Sequence, residues 1–349
     1  MRRIKIDTAA IGPGNPCYII AEAGVNHNGK RSLAKKLIDA AKKAGANAIK
    51  FQTYSTERLV TPQSEKAAYQ KTGQADRESQ FQMLKKLELS DEDFQFLSDY
   101  AEKNNITFLS SPFDEESADF LEKMGVPAYK VGSGELTNIP LLQHIARKGK
   151  PMILSTGMAT LGEVETSLHA IQKTGLSDIV LLHCISGYPS AIGTQNLRAI
   201  RTLEHTFHVP VGFSDHTEGV MAAIIAVSLG AVVIEKHLTL DKKMDGPDHK
   251  ASLEPDEFAD LVHAVRITES ALGDGIKRPS PEEADITKTA RKSIVAVKNI
   301  PRGTTITGSM VCIKRPGTGI PPALLDSVIG MKAHRGIKKD QVLSWEYIG

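Results

Sequence analysis

Two short apolar runs end in histidine: Val211-Gly212-Phe213-Ser214-Asp215-His216 and, about one βα unit later, Ile234-Glu235-Lys236-His237. As neighbouring parallel strands these runs would deliver both imidazoles to one rim of a sheet, where two neutral imidazoles make a minimal transition-metal site. Packing is the alternative role for either histidine alone; the company they keep argues for chemistry. Lys50 and Lys130 close similar runs, with serine and threonine hydroxyls around them. Ammonium groups among hydroxyls suit a phosphate and a carboxylate, so the expected substrate is anionic. Gly132-Ser133-Gly134 adds unencumbered backbone N–H groups beside Lys130. Either lysine can instead be a structural partner of Glu22 or Glu135.

Positioning such groups requires a scaffold whose strand ends converge. Eight strand candidates occur, at 17–21, 48–53, 106–110, 128–131, 151–154, 179–182, 210–213 and 232–235. Helical spacing follows each: Ser32 to Ala44, with Leu33, Leu37, Ile38 and Ala41 on one face and Gly45 as the stop; Gln80 to Asn104, broken near Ser90; then 116–124, 140–148, 162–174, 197–207, 220–229 and 256–272. Eight alternations predict a (β/α)8 barrel, whose active site lies at the C-terminal strand ends. A doubly wound open sheet is the alternative, but no Gly-rich dinucleotide fingerprint follows the first strand. Taken in order, the strand ends carry Glu22; Lys50 and Gln52; Ser110 and Ser111; Lys130, Ser133 and Glu135; Ser155 and Thr156; His183, Ser186 and Tyr188; Ser214 and His216; Lys236 and His237. All eight are polar.

The stretch from Gly273 to Glu283 is rich in Gly, Pro and charge, which predicts a barrel over 1–273, a linker over 274–287 and a small β-rich module over 288–349. Within that module, 293–297, 310–313 and 341–345 are the strand candidates. It holds eleven Lys/Arg against three Asp/Glu, a local +8, so the preceding residues carry −6 of the chain's formal +2. Its basic residues are dispersed and its aromatics are only Trp345 and Tyr347, a poor footprint for nucleic acid; docking onto an acidic body or an anionic ligand fits better. Cys17, Cys184 and Cys312 show no paired spacing, which fits a reducing cytoplasm. The N-terminal residues lack a secretory pattern, and no apolar run reaches the roughly 20 residues that span a bilayer.

Eight segments in one order carry a resemblance: Glu22-Ala-Gly-Val-Asn-His-Asn-Gly29, Lys50-Phe-Gln-Thr53, Ser111-Pro-Phe113, Lys130-Val-Gly-Ser-Gly-Glu135, Leu154-Ser-Thr-Gly-Met158, Ser214-Asp-His216, Glu235-Lys-His237 and Gly246-Pro-Asp248. From about residue 17 onward the chain resembles the sialic acid synthase family, which condenses phosphoenolpyruvate with an N-acylated mannosamine. Lys314-Arg315-Pro316-Gly317 and its surroundings resemble that family's antifreeze-like (SAF) domain.

The resemblance implies that Lys50, Lys130, Ser111, Ser133, Ser155 and Ser214 hold phosphoenolpyruvate. It also implies that His216 and His237 hold Mn²⁺ or another divalent ion, Mg²⁺ or Co²⁺. Gln52, Tyr188 and Asp248 would grip the sugar, and Arg315 its acyl group, reaching a neighbouring subunit in a domain-swapped homodimer. Glu135 is the candidate for proton transfer, with Glu22 assisting. The expected acceptor is N-acetylmannosamine, giving N-acetylneuraminate; a 6-deoxy-2,4-diacetamido sugar, as in legionaminic acid synthases, is the alternative. Ser186 and Gln74 depart from the bacterial neuraminate pattern, where asparagines stand. A synthase taking a phosphorylated aldose would not need the C-terminal module, and a non-catalytic metal-binding scaffold leaves Lys50, Lys130 and Glu135 without work.

Overall fold

The computed structural model describes residues 3–67, 70 and 78–349; Gln74 lies outside them. The chain forms two compact units, Met1–Gly273 and Asp274–Gly349.

In the first unit, a hairpin of β1 (Ile4–Ile6) and β2 (Ala9–Ile11) precedes eight parallel strands: β3 (Tyr18–Gly24), β4 (Ala48–Thr53), β5 (Thr107–Pro112), β6 (Tyr129–Val131), β7 (Met152–Ser155), β8 (Ile179–Cys184), β9 (Val211–Asp215) and β10 (Val233–His237). The sheet order is β5-β4-β3-β10-β9-β8-β7-β6, and β5 packs against β6 to complete a (β/α)8 barrel. All eight predicted strands are present, most of them running one to three residues further toward their C-terminal ends than periodicity indicated. Their residues are buried almost throughout, because helices cover one face and the barrel interior the other.

Alternate residues define two cores. Tyr18 and Ile20, Ala48, Leu109, Ala128, Ile153, Val180 and Leu182, and Val233 fill the barrel interior. The intervening residues pack against the helices. Gly212 belongs to the inner row: a Cβ there would lie 2.4 Å from the Val233 carbonyl oxygen and 2.7 Å from Leu182 Cδ2, so no side chain fits. The hairpin, absent from the sequence expectations, adds Ile4, Ile6 and Ile11 to the inner core. Each buried isoleucine there contributes about 1.5–3 kcal/mol.

The helices follow the expected positions, from Arg31–Ala44 to Pro255–Leu272. The break anticipated near Ser90 is a second initiation: Ser79 and Ser90 each form a capping box, starting Gln80–Leu87 and Asp91–Lys103 separately. Among the described residues no helix is long and apolar enough to cross a membrane.

The second unit pairs β11 (Ser293–Ala296) with β12 (Val311–Lys314) antiparallel around Ile294, Ile300, Ile306, Ile320, Ile337 and Leu343. Two expectations need correction. The stretch 341–345 is not a ladder strand; Val342 makes one bridge to Val295, and Leu343 N–H donates to the Ile294 carbonyl at 2.9 Å. The proposed linker over 274–287 falls within the second unit, and its second half is a 3₁₀ turn at Pro281–Glu283 leading into a helix at Ala284–Ala290. All three cysteines are free.

Candidate active site

The inner row of barrel residues continues past the apolar core into a polar layer at the C-terminal strand ends. There Glu22, Lys50, Ser111, Lys130, Ser155, Cys184 and Glu235 succeed the aliphatic residues two positions earlier on their strands, Ser214 succeeds Gly212, His237 continues the row beyond Glu235, and His216 follows β9 directly. They line a cavity of about 470 Å³ together with Gln52, Ser133, Tyr188 and Asp248. The barrel thus brings together twelve of the fourteen residues anticipated from sequence.

Two lysines organise its charge. Lys50 Nζ lies 2.8 Å from Glu22 Oε2 and 3.9 Å from Glu235 Oε2, and donates to Ser111 Oγ at 3.2 Å. Lys130 Nζ lies 3.5 Å from Glu235 Oε1 and donates to Ser155 Oγ at 2.8 Å. Burial would neutralise Lys50, but Glu22 and Glu235 hold its ammonium above the ordinary lysine range; for Lys130 burial prevails and the shift is downward. The two carboxyls are pushed apart. Burial raises Glu22, whereas Glu235, despite its burial, is held low by Lys130 and Lys50 and by the Ser214 hydroxyl at 3.0 Å. Such divergence is how one site keeps an acid and an ionised carboxylate together.

The imidazole rings of His216 and His237 have centroids 5.4 Å apart, and the Tyr188 ring lies 4.1 Å from that of His216. His216 Nδ1 bonds the Ile185 carbonyl at 2.8 Å, which makes Nδ1 the protonated nitrogen and frees Nε2 to act as a ligand atom. Burial, reinforced by His216, holds His237 well below the ordinary histidine range, and its buried Nδ1 has no hydrogen-bond partner among the described residues. Asp248 Oδ2 lies 3.7 Å from that nitrogen, too far for a hydrogen bond, and burial raises its carboxyl to about 6. An imidazole pair with an orphaned buried nitrogen fits the divalent ion anticipated from sequence. No group of three His, Cys, Asp or Glu among the described residues is arranged as a metal cage, so such an ion would depend on these two rings and on non-protein ligands.

Gly24 makes room for the polar cluster beside this pair. It has φ +51, and a Cβ there would lie 3.2 Å from Glu22 Oε1 and 3.5 Å from both Asp248 Oδ2 and Gln52 Nε2. Gln52 Nε2 itself donates to Glu22 Oε1 at 3.1 Å.

Two sequence candidates lie elsewhere. Glu135 does not line the cavity: the chain turns through a 3₁₀ segment at Ser133–Glu135, and the carboxylate accepts from Asn138 Nδ2 at 2.7 Å beside the following helix. Arg315 belongs to the second unit. Four strand-end residues read as polar lining also lie outside the cavity, Thr156 among them, its hydroxyl donating to the Leu182 carbonyl at 3.0 Å. Lys236 is buried on Asp215, Ser110 bonds Thr53, and His183 Nε2 bonds the Gln195 carbonyl. Their neighbours Glu235, Ser111 and Cys184 take the inward places. Sequence reasoning missed Glu235 as a site residue, although the strand period of two, counted back from His237, points to it.

The sequence model of the NeuB family matches residues 37–277, more than half the chain. The chain belongs to the NeuB family. The SAF domain model matches residues 291–348. N,N'-diacetyllegionaminic acid synthase of Legionella pneumophila is 46% identical, over 97% of this chain and 96% of its own. N-acetylneuraminate-9-phosphate synthase of Homo sapiens is 37% identical, over 97% and 94%. A crystal structure of N-acetylneuraminic acid (sialic acid) synthetase from Leptospira borgpetersenii serovar Hardjo-bovis, in complex with citrate, superimposes with a TM-score of 0.73 at 37% identity, covering 82% of this chain and 95% of that one. This NeuB-family chain is thus similar along nearly its whole length to sialic and legionaminic acid synthases.

Proposed function

We propose that the chain condenses phosphoenolpyruvate with the open-chain aldehyde of an N-acylated amino sugar. The observation that carries this reading is the pair of buried lysines, each bonded to a strand-end serine, beside a two-histidine pair. Lys50, Lys130, Ser111, Ser133, Ser155 and Ser214 hold the phosphate and carboxylate of phosphoenolpyruvate; Gln52, Tyr188 and Asp248 orient the sugar. His216 and His237 are the proposed ligands of a divalent ion, Mn²⁺ first, which when bound would polarise the aldehyde oxygen and acidify water. Two lysines facing Glu22, Glu235 and Asp248 leave the cavity without the positive charge a multiply anionic substrate needs, and a divalent cation supplies it.

C3 of phosphoenolpyruvate forms the new bond to the aldehyde carbon, water adds at C2, and phosphate leaves by C–O cleavage. Glu235, which Lys130 and Lys50 hold low, stabilises cationic charge developing at C2, and Glu22, which burial raises, is the carboxyl proposed to pass a proton to an oxygen that accumulates negative charge. Glu22 thereby takes the role first expected of Glu135. Glu22→Gln is expected to lower kcat by about 10²–10⁴-fold, and Glu135→Gln by less than about threefold. Equal losses in steady-state phosphate release would return the role to Glu135.

For the acceptor we favour the 6-deoxy-2,4-diacetamido sugar over N-acetylmannosamine. Val25, Met83, Leu84 and Leu87 form a separate apolar cluster in the cavity wall, suited to a methyl terminus and an acetyl group rather than to hydroxyls. The 46% identity to a diacetyllegionaminic acid synthase points the same way. Phosphate release with each acceptor, with product mass, tests both parts. A kcat/KM at least about tenfold higher for the diacetamido sugar is expected. A preference for N-acetylmannosamine reverses the choice of acceptor, and release without acceptor or metal removes the condensation reading.

Arg315 is proposed to read the acyl group, and a homodimer in which the small module serves the partner subunit is the proposed assembly.

A further inference from the structure

Behind the cavity, on the face turned toward the helices, lies a charged pair that touches no substrate position. Asp215 and Lys236 are direct cross-strand partners on β9 and β10, and both side chains are 0% exposed. Lys236 Nζ donates to Asp215 Oδ2 at 2.9 Å and also bonds the Thr217 carbonyl. Asp215 Oδ1 accepts from both the backbone N–H and the hydroxyl of Thr217, each at 2.8 Å. The network therefore grips the chain immediately before and immediately after His216, and Lys236 immediately precedes His237.

Register explains what this accomplishes. Ile234 pairs with Phe213, Glu235 with Ser214 and Lys236 with Asp215, so the next step along both chains brings His237 level with His216. β9 ends at Asp215; beyond it the Ser190 N–H holds the His216 carbonyl at 2.9 Å and the Ile185 carbonyl holds its ring, both from the β8 side, so the tie toward β10 and His237 falls to the Asp215–Lys236 pair. Burying an ion pair completely is a poor source of stability, since desolvation offsets most of the attraction; its better-attested use is to select one arrangement among several.

We propose that the Asp215–Lys236–Thr217 network is a positioning device that holds the two imidazoles at the spacing a divalent cation requires. This rests on the reading of His216 and His237 as metal ligands. The probe is Mn²⁺ alone, titrated calorimetrically into the metal-stripped full chain, with melting temperatures recorded in chelator. Asp215→Asn keeps shape and the Thr217 acceptor but removes the charge opposite Lys236. Asp215→Leu combined with Lys236→Met replaces the pair by apolar groups. Both are expected to weaken Mn²⁺ binding about ten- to a hundredfold, with phosphoenolpyruvate binding in chelator within about threefold of the parent and the melted fraction negligible at the titration temperature. Unchanged Mn²⁺ affinity in a folded variant overturns the proposal, and if the double variant does not fold, Asp215→Asn alone decides. A parent chain that binds no Mn²⁺, or whose binding survives His216→Ala and His237→Ala, overturns the metal reading and the proposal with it.

Discussion

Lys130→Met is expected to lower kcat/KM for phosphoenolpyruvate by about two to three orders of magnitude, the fold-change that corresponds to losing one partner of a buried charge constellation. The ammonium of Lys130 is the nearer of two cations to Glu235 and is the group bonded to Ser155. Removing it takes away the proposed charge-assisted contact to the substrate and at the same time leaves Lys50, 3.9 Å away, as the lysine that offsets the charge of Glu235. Both effects repel an anion. Lys130→Arg is not expected to rescue, because the side chain is enclosed and a planar fork needs more room than a point charge. Calorimetric titration with phosphoenolpyruvate reads the effect directly, and Mn²⁺ affinity serves as the control, since both histidines are untouched. A folded Lys130→Met chain that binds phosphoenolpyruvate like the parent would remove the central argument for the substrate.

Removal of residues 274–349 is expected to abolish condensation, by at least about a hundredfold, while leaving a barrel that binds phosphoenolpyruvate and metal. The cut falls at Gly273 because the helix Ala284–Ala290 belongs to the second compact unit, and a cut at 288 would leave part of that unit attached. The barrel holds its own continuous core, capped at the N-terminal mouth by the β1–β2 hairpin, and circular dichroism with thermal melting checks that it persists. Arg315→Ala should reproduce part of the loss as a raised KM for the acceptor with phosphoenolpyruvate binding intact. Co-expression of Lys130→Met with Arg315→Ala chains separates assemblies: recovered activity in the mixed dimer supports a site completed by the partner subunit, and no recovery argues that each chain serves itself.

What was legible in the sequence was the number of strands, their approximate ends and the chemical types gathered there. Eight apolar runs punctuated by Gly and polar residues are a strong periodic signal, and a barrel converts strand ends into neighbours whatever their separation in sequence. That is why Glu22, Lys50, Lys130 and His237 could be placed in one site from their positions alone. Face was not legible. Strands covered on both sides carry no alternation of apolar and polar residues, so nothing local distinguishes Cys184 from His183 or Ser111 from Ser110, and Glu235 is told from Lys236 only by counting back from His237. Each choice depends on which residue sits at the pleat facing the barrel axis, a property of the closed sheet. Glu135 was misplaced for a related reason: three residues of 3₁₀ turn after β6 rotate its carboxylate onto Asn138, and a turn's sense is set by the helix it must enter. The hairpin at Ile4–Ile11 escaped notice because two three-residue strands have too little period to read, and only the open mouth of the barrel gives their isoleucines a place to be buried.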